Sequence, residues 1–134
     1  TDYPINLLSI SPKFSNSVPV LGAVTPAGKV VDQRFIDTHN RKRQNTEAIK
    51  KMMAFHTDYH LKPVWDGTLG NLEEIEAYRV ELDIPKNRTW IMPAGDTRET
   101  LIKMYPLVFN MCVKHGYNMT GRDHIIAFDT QRMV

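Results

Sequence analysis

A chain of 134 residues with 42% hydrophobic and 24% charged residues has the make-up of one globular domain, which excludes a disordered or fibrous chain. The formal charge of +2 is too small for the strongly basic face that direct nucleic-acid binding wants. The one cysteine, Cys112, excludes an internal disulfide, a Cys-rich zinc site and a self-contained iron–sulfur cluster.

At this length folding buries about two-thirds of the extended-chain surface, which supports a core without disulfide or metal. The opening Thr1-Asp2-Tyr3-Pro4 has neither a basic n-region nor a long apolar stretch. No run approaches the roughly 18 apolar residues of a membrane span, so a cytoplasmic protein without membrane contact is expected. The sequons at Asn87 and Asn118 therefore carry no weight. Thr1 is not a methionine and the apolar run from Ile5 starts almost at once, so a missing upstream segment is expected.

The run Ile5 to Ile10 reads as a buried strand stopped by Ser11-Pro12, because Pro12 has no N–H for a ladder. Val20-Leu21 and Val30-Val31 flank Thr25-Pro26-Ala27-Gly28, which suits a tight turn in a small hairpin. Asp37 to Asn45 reads as a solvated basic connection, with Asn45 as the N-cap of an amphipathic helix from Thr46 to about Thr57. Tyr59 to Trp65 reads as a strand in which Pro63 implies an edge position or an early end.

Asn71 with Glu74 resembles a capping box for a helix to about Val80, and Asp96 with Glu99 resembles a second for a helix to His115, closed by Gly116. Between them Thr89 to Met92 forms a short strand stopped by Pro93. Pro106 is expected to kink the last long helix, whose buried stripe is Leu101, Tyr105, Val108 and Cys112 with Met104 and Met111 beside it. His124 to Phe128 has the make-up of a final strand. Alternating strands and helices imply an α/β fold of βα units with mainly parallel strands in a single domain, 1–134.

Ligands in parallel α/β folds collect at the carboxyl ends of the strands. Ser11-Pro12-Lys13 and Met92-Pro93-Ala94-Gly95-Asp96 both leave strands and should share one rim. Ser11 and Ser15 bring hydroxyls, Lys13 an ammonium for a carboxylate or phosphate, and Gly95 a close backbone approach. Ordinary strand-end turns are the plain alternative. His56 and His60 are four apart, but the helix ends near Asp58 and His56 lies on its apolar stripe, so a core or boundary histidine and no metal is expected. Glu73, Glu74 and Glu76 suit a helix start rather than paired-carboxylate chemistry. Arg41, Lys42, Arg43, Lys50 and Lys51 read as a solvated face, and Cys112 as a buried inert thiol.

Taken in order, these segments resemble one family. Ile10-Ser11-Pro12-Lys13-Phe14-Ser15-Asn16-Ser17 is similar to the serine-proline-lysine motif and serine-rich loop of 7-carboxy-7-deazaguanine synthases, in the radical S-adenosylmethionine superfamily. His60-Leu61-Lys62-Pro63-Val64 resembles the family's lysine-bearing strand, and Asn71 to Ile75 its next helix start. Ile91-Met92-Pro93-Ala94-Gly95 with Thr97-Arg98-Glu99 resembles the following strand end, and His124 to Val134, with Arg132, the last strand and tail.

The resemblance implies the C-terminal portion of an incomplete (β/α) barrel, with the cluster-binding N-terminal half absent. It further implies a lyase that converts 6-carboxytetrahydropterin to 7-carboxy-7-deazaguanine on the way to queuosine and other deazapurines. Its cofactors would be S-adenosylmethionine, a 4Fe-4S cluster and magnesium. Ser11, Pro12, Lys13, Met92, Pro93, Ala94 and Gly95 would contact S-adenosylmethionine, and Val134 the pterin substrate. Many relatives carry glutamine where Met92 stands. No catalytic or metal-binding residue falls in this half, so the isolated chain is expected to be inert, and an exposed parallel edge implies a homo-oligomer. The other readings are a stand-alone nucleotide-like ligand-binding or interaction module, and a fragment of a radical-enzyme activase.

Overall fold

A computed structural model describes residues 6–43, 45–56 and 58–130. The elements run β1 (Leu8–Ile10), α1 (Gln33–Arg43), α2 (Thr46–Phe55), β2 (Tyr59–Leu61), β3 (Val64–Trp65), α3 (Leu69–Glu81), β4 (Trp90–Pro93), α4 (Arg98–His115), β5 (Asn118–Met119) and α5 (Asp123–Phe128). Single 3-10 turns stand at Ser15–Ser17 and Lys86–Arg88. The result is a mixed α/β chain with parallel strands in two small sheets, β1-β2 and β3-β4-β5.

Pro63 explains why there are two sheets. It supplies no N–H, so β2 stops at Leu61 and β3 resumes at Val64. The backbone nonetheless continues across the gap: Lys62 N donates to Ile10 O at 2.8 Å, and Met92 N donates to Pro63 O at 2.9 Å. A parallel bridge between Leu61 and Thr89 keeps the register that Val64 and Met92 share. Strands thus lie side by side in chain order. Pro63 is fully buried, so the early strand end, not the edge position, is what it produces.

One face of this sheet is dry. Ile10, Leu61 and Ile91 point into a core completed by Ile75 and Tyr78 of α3 and Val108, Met111 and Cys112 of α4. Each fully buried aliphatic side chain contributes roughly 1.5–3 kcal/mol relative to exposure. The alternate residues Ser9, His60, Lys62 and Met92 occupy the other face, which is only partly covered.

Several local expectations are corrected. Residues 33–43 are helical, not a solvated connection, because Asp32 caps them by accepting from Phe35 N at 2.8 Å. The N-caps of α3 and α4 are Thr68 and Thr97, with a capping box between Thr97 and Thr100, in place of Asn71 with Glu74 and Asp96 with Glu99. Helix α4 continues through Pro106 to His115 and closes on Gly116 at φ 79°, the left-handed value glycine accepts freely. Residues 123–128 form a helix instead of a final strand, the pairing position beside β4 being taken by Asn118–Met119. Asn45 does cap α2, accepting from Ala48 N at 3.2 Å. The hairpin around Thr25 shrinks to one antiparallel bridge, Val24 to Val30. No described helix is long and apolar enough to cross a membrane.

Candidate functional site

The carboxyl ends of the parallel strands meet in one place. Ser11-Pro12-Lys13 leaves β1, Asp66 leaves β3, Ala94-Gly95 leaves β4, and Arg122 follows β5. Pro12, Lys13, Asn16, Val64, Asp66, Ala94, Gly95, Asp96 and Arg122 line a cavity of ≈ 760 Å³. A second cavity of ≈ 400 Å³ shares Pro12, Lys13, Val64 and Arg122 and adds Ser11, Lys62, Met92, Asp123 and His124. It opens on the partly covered face of the sheet.

The loop after β1 is held from several sides. The Phe14 ring enters the core at 2% exposure and meets Tyr78 edge-on, with centroids 5.9 Å apart. Glu74 accepts from Ser15 N at 3.1 Å and from the Ser15 hydroxyl. Asn16 donates to Asp66 at 2.8 Å. Arg43 donates to Lys13 O at 3.5 Å and lies 3.9 Å from Glu74. Glu74 thus serves the loop, not the cap assigned from sequence spacing. Across the cavity, Arg122 donates to Gly95 O at 2.8 Å, tying the loops after β4 and β5 together.

The charges are mixed. Desolvation pushes Asp66 up, but hydrogen bonds from the Thr68 hydroxyl, Asn16 and backbone amides outweigh it and hold the carboxyl below its ordinary value. Asp66 therefore stays an anion opposite Lys13 and Arg122. On the sheet face, Ser9 and His60 are register partners and their Oγ and Nε2 lie 3.0 Å apart. Burial and the neighbouring Lys62 lower the His60 pKa against the pull of Asp58, favouring the neutral imidazole.

An exposed ammonium, a guanidinium, a hydroxyl and backbone amides around an open cavity suit a ligand bearing a carboxylate and hydroxyls. They are not arranged as a nucleophile with its base. Cys112 is a poor metal ligand, since ligation needs the thiolate and burial pushes its thiol up to about 11. Its Sγ faces Asn118 O at 3.5 Å. Among the described residues no group of three His, Cys, Asp or Glu side chains is placed to hold a metal ion.

Of the residues singled out from sequence, Ser11, Pro12, Lys13, Met92, Ala94 and Gly95 all line this pair of cavities. Pro93 does not; it is fully buried within β4. Val134 lies outside the described residues. Gly95, at φ 154°, is explained by packing: a Cβ there would stand 2.9 Å from Leu101 N. Sequence reading missed Asp66 and Arg122. Asp66 precedes Gly67 just after the strand read from Tyr59 to Trp65, a pair that suits a plain turn, whereas Arg122 follows a two-residue strand too short to register as a period. No protein-family model, curated protein or solved structure matches the chain.

Proposed function

We propose that this chain is the C-terminal half of a radical S-adenosylmethionine lyase resembling 7-carboxy-7-deazaguanine synthase, and that its own contribution is to hold cofactor and substrate. The observation that carries the reading is the shared rim. Ser11-Pro12-Lys13 and, from the second of the segments that resemble the family's cofactor contacts, Met92, Ala94 and Gly95 line adjoining cavities although about eighty residues separate them. Parallel strands adjacent in chain order, with a partly polar second face, are also what one wall of an incomplete (β/α) barrel requires.

The rim fits S-adenosylmethionine. Lys13 suits its carboxylate, Ser11 a ribose hydroxyl, and Pro12, Val64 and Met92 a flat base. In that family the cofactor, bound at a 4Fe-4S cluster, supplies an adenosyl radical. The fit fails for the cluster: the chain has one cysteine, and it is buried with a raised thiol. Cluster thiolates and magnesium ligands would come from residues outside this chain, which alone should bind without cleaving. Strand β1 pairs on one side only among the described residues, and an open parallel edge favours self-association.

Calorimetric titration of the chain with S-adenosylmethionine tests the reading. Weak saturable binding is expected, reduced about tenfold by Lys13→Ala, the loss of one charge-assisted contact. Binding indifferent to that substitution, or absent, removes the cofactor role. Tight binding by the chain alone, abolished by Lys13→Ala, favours a stand-alone binding module. Reconstitution of the full coding sequence's product with iron and sulfide should give a cluster, and failure to do so rules out the radical chemistry.

A further inference from the structure

Helix α1 buries none of its residues, so packing does not account for it, and an eleven-residue helix is marginal in water on its own. One face is nevertheless organised. Arg34, Phe35, Thr38, His39, Lys42 and Arg43 recur at helical spacing along an open cavity of ≈ 550 Å³ that Lys13 also lines. The helix dipole explains cations at residues 41–43, in the last turn. It does not explain Arg34, which stands in the first turn where the dipole opposes positive charge.

The cations differ in what already engages them. Arg43 donates to Asn40 at 2.9 Å and braces the Lys13 carbonyl and Glu74. Arg34 and Lys42 have no ion-pair partner among the described residues. Asp32, the one carboxylate on the cavity wall, is occupied in capping the helix. Nδ1 of His39 is buried and has no hydrogen-bond partner among the described residues. The Phe35 ring, 43% exposed, forms an apolar wall beside these charges.

From these features we infer that the α1 cavity is a binding site for a free mononucleotide, its phosphate held by Arg34 and Lys42 and its base laid against Phe35. The volume falls within the range of roughly 300–1,000 Å³ typical of small-ligand sites. Guanidinium and ammonium groups pair with phosphate oxygens, and the ring supplies stacking area. The occupant also supplies the contacts that α1 lacks. Lys13 is common to this cavity and the cofactor rim, but Arg34, Phe35 and Lys42 line only the former of the two, so the inference does not rest on the cofactor reading.

The test is calorimetry of the whole chain with adenosine 5′-monophosphate and with adenosine at low salt. The nucleotide should bind at least about tenfold more tightly than the nucleoside, and Arg34→Ala combined with Lys42→Ala should remove that difference. Phe35→Ala should weaken the nucleotide and leave inorganic pyrophosphate unchanged. S-adenosylmethionine binding by the double variant should be unaltered, so failure of one site is not failure of the other. Equal affinity for nucleotide and nucleoside overturns the inference, as does wild-type nucleotide affinity in a double variant whose circular dichroism shows it folded. A 5′-phosphorylated oligonucleotide binding far more tightly than the mononucleotide overturns it in favour of a nucleic-acid surface.

Discussion

Glu76 illustrates how much of a residue's role comes from distant chain. It pairs with Arg79 one turn away and also accepts from the Tyr117 hydroxyl, while Lys86 and His115 add positive potential. The Arg79 hydrogen bond leads in holding its carboxyl below the ordinary value, against a smaller upward push from desolvation. A carboxylate lowered in the folded state stabilises the fold fully above its unfolded pKa, here 4.5, and the contribution is lost as pH falls through the lower folded value. Asp66 acts in the same sense from an ordinary value of 3.8. The urea midpoint should therefore drop between pH 6 and pH 3. Glu76→Gln should lower the midpoint at pH 6 and shrink that drop; a drop as large as in the parent chain would refute the assignment. In the sequence Glu76 was legible only as a helix-opening acid, because spacing cannot announce a partner on the far side of α4. Cys112 was fully legible, since its place on an apolar stripe already implied a buried thiol.

At the scale of elements, two phenylalanines separate what holds the fold from what decorates it. Phe14 anchors the loop after β1 between α3 and the sheet, whereas Phe35 on α1 touches no core. Phe14→Ala should cost about 3–5 kcal/mol, the usual range for a buried phenylalanine, and Phe35→Ala about 0.5 kcal/mol or less. Equilibrium denaturation of both variants checks this, and similar losses at the two positions would contradict the core assignment. Strands β1 and β4, the segment holding β2 and β3, and helices α2, α3 and α4 were legible from local apolar patterns, whereas the caps of α3 and α4 were read at the wrong residues and β5 was not read. Helix α1 was not, since it has no apolar stripe to read and its one stop signal is a run of cations. The segment from His124 to Phe128 misled for the opposite reason: a short apolar run has no period that separates strand from helix, and only the pairing of Asn118–Met119 with β4 decides it. The rim was readable because strand ends and turn residues coincide at Ser11 and Gly95. Arg122 entered only through that unrecognised pairing.

The whole molecule poses the question whether two short sheets behave as one. Pro63 interrupts the ladder, yet the Lys62 amide is bonded back to Ile10 and the Pro63 carbonyl forward to Met92, so each half of the break is secured by a neighbouring strand. Thr89 sits at the joint, fully buried. Its hydroxyl donates to Pro85 O at 3.1 Å, and its carbonyl accepts from Asn118 N at 3.1 Å. Opening one sheet would strip Leu61 and Ile91 of the same core, and buried apolar side chains do not separate at small cost. Native-state hydrogen exchange should accordingly give the amides of Lys62, Met92, Ala94 and Thr120 one common opening free energy that shifts equally with denaturant. Amides of α1, which has no core contact, should exchange through a cheaper local opening. Earlier exchange at Lys62 than at Met92 would mean that β1-β2 opens separately from β3-β4-β5. The cavity rim would then be a hinge between two units, and Lys13 could move away from Gly95 without unfolding either.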